Sequence, residues 1–273
     1  MLLLAFVALW EGYKVLGKAT DGMVPFTNAR LPVSPHDVAM PHVWEIVQSL
    51  FIPAQRGSDQ ILLTGLAQAA LFTLREAITG FLIGSTVGFG LALLFELSRP
   101  IERGLMPFVI ASQTVPLLAI APMVVIWGGR IGWPTWASVS MIAAYLSFFP
   151  VTINTVRGLR SSAATAVELM RSYAATRAET LLKLQIPASL PYVFSALKVA
   201  ATASVIGALI GELPASLSEG LGRSLLTFSY YFQSGSERLF ATLVIAATLG
   251  LITVGMVSLL ERLVVPSARR LES

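Results

Sequence analysis

Long apolar runs are the feature that most limits how this sequence can fold. A helix needs about 20 apolar residues to cross the core of a bilayer. Runs that approach or exceed this length lie at about 2–17, 77–97, 105–127, 135–156, 192–213 and 239–261. The chain is 55% hydrophobic and only 12% charged, which is more apolar than a soluble core of this size requires. The sequence therefore predicts an all-α membrane protein with six transmembrane helices.

The first run and the polar stretch after it form the least regular part of the pattern. MLLLAFVALWEGYKVLG has neither a basic start nor a small-residue cleavage site, so it is interpreted as a short first span rather than a signal peptide. Residues 18–60 are predicted to be a loop on the membrane surface with one short amphipathic helix near HVWEIVQSLF. We expect three regions: a first span with an external loop (1–60), a core with five spans (61–262), and a cytoplasmic tail (263–273).

The distribution of basic residues predicts the orientation. Lys and Arg are denser in 98–104, 157–191 and 262–273 than in the segments on the other side of the predicted spans. Short loops rich in Lys and Arg remain in the cytoplasm. Both termini and the stretch 157–191 are therefore expected to be cytoplasmic, and the net charge of +4 is attributed to topology rather than to nucleic-acid binding.

The sequence offers no set of residues that would make the chain an enzyme. The segment GYKVLGKAT (12–20) has phosphate-loop spacing, but Ala19 replaces the Ser or Thr that such a loop needs, and no strand precedes it. His36 and His42 lack metal-ligand spacing and partner acids, and are expected at the surface. No nucleophile, base and orienting group occur together. The chain is thus predicted to be a subunit without a catalytic site, metal or cofactor of its own.

Glycines at every fourth position indicate close helix packing. Gly80, Gly84 and Gly88 follow this spacing in the second run, and Gly207 and Gly211 repeat it in the fifth. Small residues in one stripe let helix backbones approach each other within a membrane. We expect a tight bundle from them and no information about a substrate.

Two runs contain polar residues at membrane depth. In the third run, Gln113 and Thr114 precede Pro116 within a proline-containing helix, which suggests either interhelical hydrogen bonding or the lining of a pathway. In the fifth run, Lys198 is expected to reach the cytoplasmic surface, whereas Glu212 either meets water or faces a solute. Gln113, Thr114 and Glu212 are the predicted pathway residues.

The charged stretch ELMRSYAATRAETLLKLQIPASLP (168–191) lies between two apolar runs. Its pattern predicts two short amphipathic helices, the second ended by Pro187 and Pro191. Because both ends of the stretch are tied to predicted spans, a partner that pushes on it would move the fourth and fifth spans directly.

This stretch resembles the coupling loop of permeases from binding-protein-dependent ABC importers. The family pattern is approximately E-A-A, three residues, G, nine residues, I, two residues, L-P. The chain has Glu168-Leu169-Met170, then Ala174 in place of the glycine, then Ile186-Pro187 and Leu190-Pro191. If that position requires a left-handed backbone, alanine costs about 1 kcal/mol. The resemblance also includes TLREAITGFLIGSTVGFGLALLFELSRPIER, SQTVPLLAIAPMVVIWGG, SFFPVTINTVRGL and LPYVFSALKVAATASVIGALIGELPASLSEGLG.

The resemblance implies an inner-membrane subunit of a bacterial importer. It implies pairing with a second permease copy, expected to be identical, docking on a pair of cytoplasmic ATPases that bind ATP and Mg, and delivery of solute by an extracytoplasmic binding protein. The residues implied in ATPase coupling are Glu168, Arg171, Ala174, Ala175, Thr176 and Arg177.

Two segments of the sequence also resemble one branch of the family. SQTVPLLAIAP and ALKVAATASVIGALIGELPASLSEGLG are similar to permeases for thiamine-precursor pyrimidines and riboflavin. The alternative is a permease for aliphatic sulfonate, taurine, nitrate or bicarbonate. A channel that needs no nucleotide is a further alternative, but it leaves the charged double helix without a role.

Overall fold

The computed structural model describes residues 2–23, 29–53, 60–215 and 219–265. Parts of the predicted external loop (24–28 and 54–59) and most of the predicted tail (266–273) lie outside these ranges. The regular structure of the described residues is helical. These residues also contain two isolated β-bridges, but no extended β-strand. The helices are α1 (Leu2–Ala19), α2 (Val43–Ser49), α3 (Leu62–Leu97), α4 (Arg99–Ser112), α5 (Leu117–Arg130), α6 (Thr135–Leu159), α7 (Ala164–Ser172), α8 (Arg177–Thr180), α9 (Ile186–Glu212), α10 (Leu221–Tyr230) and α11 (Phe232–Val264).

The six predicted runs all lie in helices, but the count of six spans is not confirmed. Among the described residues, α3, α6, α9 and α11 are long and apolar enough to cross a membrane, and the pair α4 and α5 adds a fifth candidate if it counts as one span. Helix α1 does not meet the same criteria, because Glu11, Lys14 and Lys18 interrupt its apolar residues. The predicted amphipathic helix near HVWEIVQSLF is confirmed as α2.

The third run is bent rather than continuous, which corrects the expectation of one helix over 105–127. Helix α4 ends at Ser112, α5 begins at Leu117, and the two are bent by 100°. Pro116 lies immediately before α5, in an extended conformation. Proline lacks an N–H group and disfavours helical backbone at the residue before it, so the helix stops before Pro116.

Contacts between residues divide the chain into two compact units. The first unit contains Met1–Leu71 and Glu219–Ala247, and the second contains Phe72–Ser218 and Thr248–Ser273. The division predicted from the sequence follows the chain at residues 60 and 262. The division by contacts instead falls inside α3 and α11, because long helices take part in packing at both of their ends.

In the first unit, α1 is fastened to the loop that follows it by charged groups. Asp37 Oδ1 lies 2.9 Å from Lys14 Nζ and 2.8 Å from Lys18 Nζ. The ammonium group of Lys18, followed by that of Lys14, holds the pKa of Asp37 well below its ordinary value. The two lysines that interrupt the apolar pattern of α1 are thus explained by this loop.

His42 is also part of this network, which corrects its expected role as a surface residue without acidic partners. Its Nδ1 lies 2.7 Å from Glu11 Oε2, and its Nε2 lies 3.8 Å from Asp37 Oδ1. The ring stacks on Trp44 with 4.0 Å between centroids. The prediction missed Asp37, which lies between the two histidines, and it could not identify Glu11, which comes from α1.

In the second unit, the predicted glycine stripes pack against one helix, α6. A Cβ atom on Gly84 would lie 2.5 Å from the backbone oxygen of Ala144, and one on Gly88 would lie 2.5 Å from that of Phe148. A Cβ atom on Gly207 would lie 2.7 Å from Ala143 Cα. Any larger residue would separate these helices, so the prediction of close packing is confirmed.

Lys198, one of the two ionisable residues of the fifth run, has a partner in the same unit. Lys198 Nζ lies 2.6 Å from Glu261 Oε2, which joins α9 to α11. Phe194 and Ala201 of α9 pack with Val257 of α11 in the same contact region. Lys198 was expected to reach the cytoplasmic surface, and the structure adds a carboxylate partner for its partly exposed side chain.

Candidate functional site

The coupling loop, residues 157–191, starts at the end of α6, and its first own helix is the amphipathic helix α7. This helix carries Glu168 and Arg171, and both side chains are exposed. Among the described residues neither side chain has an ion pair within the chain. Their charged groups are therefore free to contact another polypeptide.

Helix α7 ends in a Schellman motif centred on Ala174. The N–H of Ala174 donates to Arg171 O at 2.9 Å, and the N–H of Ala175 donates to Met170 O at 3.0 Å. Ala174 has φ of 52°, the left-handed conformation that this motif requires and that favours glycine. The position where the sequence departs from the family's glycine is thus the position with the left-handed backbone.

The second helix of the loop, α8, has a capping box at its first turn. The hydroxyl of Thr176 accepts from the N–H of Glu179 at 3.2 Å, and Glu179 Oε2 accepts from the N–H of Thr176 at 2.9 Å. Lys183 Nζ lies 3.1 Å from Glu179 Oε1. The N–H of Thr176, then Lys183, and then the Thr176 hydroxyl lower the pKa of Glu179 to about 2. The turn between α7 and α8 is therefore fixed at both ends by the chain's own groups.

Pro187 and Pro191 do not end the second helix, which corrects that prediction. A π-helical turn, Leu181–Gln185, joins α8 to α9, and both prolines lie in the first turns of α9. Pro187 occupies an early helical position, where the missing N–H is tolerated. The loop thus continues into α9 as one helical segment.

The loop is anchored at its base by a charge cluster that the sequence analysis did not identify. Arg160, directly after α6, donates to both oxygens of Glu102 at 2.8 Å each, and to Glu96 at 3.1 Å. The side chain of Gln185 donates to the other Glu96 oxygen at 2.9 Å. The sequence shows only that charged residues lie at the ends of apolar runs. It does not indicate which of these residues form ion pairs. This cluster ties both ends of the loop to α3 and α4.

Large apolar side chains are exposed on the same loop. Leu169 is 56%, Tyr173 is 78% and Leu182 is 64% exposed. The loop also borders an open cleft of about 750 Å³, and Arg171 and Arg177 are among its lining residues. Exposed apolar groups beside polar ones are typical of a surface that binds another protein.

The structure does not bring the three predicted pathway residues into one described cluster. Gln113 and Thr114 are exposed at the bend between α4 and α5, and Thr114 donates to the nearby Ala111 O at 2.7 Å. Glu212, at the end of α9, is fully buried, and its Oε1 accepts from the hydroxyl of Thr73 at 2.6 Å. In this conformation, the polar groups of the bend are exposed, whereas Glu212 is enclosed.

The fold and this loop agree with the family comparison. The family described as "Binding-protein-dependent transport system inner membrane component" matches residues 80–266. This match covers α4 to α11, including the whole coupling loop. The chain belongs to this family, the inner-membrane permeases of ABC importers.

Individual relatives place the chain within a group of such permeases. It is 32% identical over 197 residues to the formylaminopyrimidine transport permease protein ThiX of Halalkalibacterium halodurans, covering 71% of this chain and 75% of that protein. It is 31% identical over 210 residues to the riboflavin transport system permease protein RibX of Chloroflexus aurantiacus, covering 76% and 75%. A solved structure of the MetNI methionine ABC transporter has a similar fold, with a TM-score of 0.64, 16% identity, and coverage of 77% of this chain and 100% of that one.

Proposed function

We propose that this permease is driven through its coupling loop, which docks on a cytoplasmic ATPase. The observation that carries the proposal is the loop's construction: an exposed double helix whose turn is fixed by a Schellman motif and a capping box, and whose base is anchored by Arg160. Because its turn and its base are fixed, the loop would move as a rigid unit and transmit a force to the helices attached to it. ATP binds and is hydrolysed in the partner ATPases.

The anchoring defines how a push on the loop would reach the membrane. On one side, α8 and the π turn continue directly into α9. On the other side, Arg160 joins the end of α6 to Glu96 of α3 and Glu102 of α4. A displacement of the loop therefore acts on four helices at once, as expected for switching between inward-open and outward-open states. A channel that needs no nucleotide would not require a cytoplasmic loop that is connected to four helices.

The test reverses one exposed charge on the loop. Glu168→Arg should leave the chain folded and in the membrane, but should abolish copurification of the ATPase and stimulation of ATP hydrolysis by the binding protein. Glu219→Arg makes the same charge change at an exposed acid outside the loop and should keep the copurification of the ATPase. Normal copurification and stimulation in Glu168→Arg would remove this residue from the docking surface.

A second part of the proposal concerns the solute and its path. We assign Gln113 and Thr114 to the pathway because the bend exposes an amide and a hydroxyl in an otherwise apolar span. The sequence-based assignment of Glu212 to the pathway stays a prediction, since its carboxyl is enclosed in this conformation. Gln113→Ala should weaken solute uptake while the ATPase still copurifies; unchanged uptake would contradict the assignment.

The proposed solute is a small polar molecule of the thiamine-precursor pyrimidine or riboflavin type. The relatives named for formylaminopyrimidine and riboflavin support this choice. Aliphatic sulfonate, taurine, nitrate or bicarbonate is the alternative. Purification of the importer with its binding protein, followed by mass spectrometry of the small molecule that comes with it, distinguishes the two classes.

The assembly proposed around the chain contains two permease copies, expected to be identical, with both termini in the cytoplasm. The density of Lys and Arg in the coupling loop supports this orientation. Limited proteolysis of sealed right-side-out vesicles should spare the loop, and cleavage within 164–180 from outside would contradict the orientation.

A further inference from the structure

One face of α4 changes from charged to apolar along its length. Arg99 and Arg103 lie at its start, and Met106, Ile110 and Ala111 follow within the next two turns. Relative to Arg103 these residues are three, four, seven or eight positions away, a spacing that places them on the same side of a helix. Together they line an open groove of about 670 Å³. This α4 groove therefore has a basic end and an apolar end.

The two arginines of the α4 groove carry charge that the described part of the chain does not pair. Both side chains are exposed, and neither forms an ion pair or a hydrogen bond with a described residue. Glu102, which lies between them, gives both carboxylate oxygens to Arg160 at 2.8 Å each. A guanidinium group stays charged at neutral pH, and its N–H groups match the oxygens of a phosphate. The basic end is therefore suited to a phosphate group from outside the chain.

The basic end of the α4 groove is shared with the open cleft of about 750 Å³ that borders the coupling loop. Arg99 lines both cavities, and the cleft adds Arg171 and Arg177 from the loop. Glu96, which also lines the cleft, already accepts from Arg160 at 3.1 Å. Because the acids of both cavities are bound to an arginine, they are not available for the ammonium group of a zwitterionic headgroup. A headgroup with a net negative charge fits these cavities better.

The apolar end of the α4 groove is open rather than packed against another described helix. Ile110 is 53% exposed and Phe108 beside it is 73% exposed, whereas Val109 is the buried residue of α4. From Arg103 to Ala111 the helix advances about 12 Å. One leaflet of a bilayer contributes about 15 Å of hydrocarbon, which is a similar length. An acyl chain can therefore lie along the apolar end while its headgroup stays at the arginines.

Basic pockets beside membrane helices bind the headgroups of anionic lipids. We propose that the α4 groove binds an anionic glycerophospholipid, with its phosphate at Arg99 and Arg103 and an acyl chain along Met106 and Ile110. The lipid comes from the leaflet on the side of the coupling loop, which is the cytoplasmic leaflet in the orientation proposed above. This site goes beyond the proposed function, since it needs neither the solute nor the ATPase. It places a lipid directly beside the contact that anchors the coupling loop.

A fluorescent label in the α4 groove tests which lipid lies there. The chain has no cysteine, so one introduced thiol reports on the groove alone. The full-length chain with Ala111→Cys is labelled with bimane and placed in nanodiscs of phosphatidylcholine and phosphatidylglycerol. In one preparation the phosphatidylglycerol carries bromine on its acyl chains, and in the other an equal amount of phosphatidylcholine does. Because bromine quenches a fluorophore in contact with it, we expect stronger quenching by the phosphatidylglycerol.

Removal of either arginine should reduce this preference. An arginine close to an anionic lipid strengthens binding by about fivefold, so Arg99→Gln and Arg103→Gln should each lower the preference for phosphatidylglycerol by about that factor. Arg157→Gln is the matched control, because it removes an exposed arginine at the end of α6 that is not among the residues lining either cavity. The preference should stay unchanged in this variant. All three side chains are exposed, and either variant of the groove gives the answer alone.

Inorganic phosphate distinguishes a lipid site from a site for a free anion. Phosphate in place of chloride, at equal ionic strength, should leave the quenching unchanged because it cannot replace the contacts of an acyl chain. Loss of quenching in phosphate would assign the groove to a free anion and overturn the proposal. Equal quenching by both lipids, or equal effects of Arg103→Gln and Arg157→Gln, would also overturn it. So would the absence of quenching by either lipid, which would show that another polypeptide covers the groove. The chain is measured without its ATPase, so a failure of ATPase docking would not affect these results.

Discussion

Two regions of the second unit, the glycine contacts of α3, α6 and α9 and the coupling loop, are built on opposite principles. The helix contacts depend on missing side chains, since Gly84 and Gly207 bring backbones together where a Cβ atom has no space. The coupling loop depends on side chains that are present and exposed, such as Tyr173. The first region is specified by steric exclusion and the second by local hydrogen bonds.

This difference predicts how each region responds to substitution. A change in the helix contacts must move backbones, so its cost appears as lost stability. A change in the coupling loop alters a surface or a turn, so its cost appears mainly in local order and in binding. Two pairs of substitutions and one pH dependence test this contrast.

The largest effect is expected at the helix contacts. Gly84→Ala places a Cβ atom 2.5 Å from the backbone oxygen of Ala144, and overpacking of this kind costs about 1–3 kcal/mol. Gly90→Ala is the control within the same helix, because a Cβ atom there meets nothing within 4 Å. It should instead stabilise the chain by about 0.5–1 kcal/mol. Unfolding of the purified chain in mixed micelles measures both, and equal effects would break the contrast.

An intermediate effect of opposite sign is expected at the turn of the coupling loop. Ala174→Gly removes the strain of a left-handed alanine, worth about 1 kcal/mol. Ala175→Gly changes the neighbouring residue, which has no positive φ, and should be neutral or destabilising. Amide hydrogen exchange in α7 measures the result: slower exchange in the first variant and not in the second. If both variants exchange alike, the left-handed conformation does not limit this turn.

The smallest effect is a pH dependence of the capping box. Since the pKa of Glu179 falls from 4.5 to about 2 in the folded loop, its contribution is fully present above pH 4.5 and is lost as the pH falls towards 2. Because Glu179 is exposed, the change is local. Exchange protection of the α8 amides should decrease over this range, and Glu179→Gln should remove that dependence. Constant protection in the original chain would show that the cap is not ionic.

Much of the helical framework could be predicted from the sequence, because apolar length and glycine spacing act within a single helix. Gly80 and Gly207 were identified by such spacing. The bend at Pro116 was missed because a proline in an apolar run permits either a kinked helix or a break, and tertiary packing decides between them. The span predicted at α1 stays unconfirmed, and there Lys14 pairs with Asp37, a loop residue that no periodicity reveals.

The candidate site was predictable to a similar extent. The pattern located the amphipathic helix that carries Glu168 and the left-handed position of Ala174, since both belong to a continuous stretch. It did not locate the anchor at Arg160 or the partner of Glu212, because these contacts join residues that are 58 and 139 positions apart. Long-range pairs of charged groups leave no local signal in one sequence.

The π turn at Leu181–Gln185 has a geometric consequence for the membrane part of the chain. It contains one residue more than an α-helical turn, and each residue of an α-helix advances about 100° around the axis. This extra residue sets the angular phase of α9, so that Ser204, Gly207 and Gly211 point inward as observed. Tightening the turn by one residue would rotate the entire helix and carry those small residues away from α6. This five-residue segment thus fixes the rotation of α9 about its own axis.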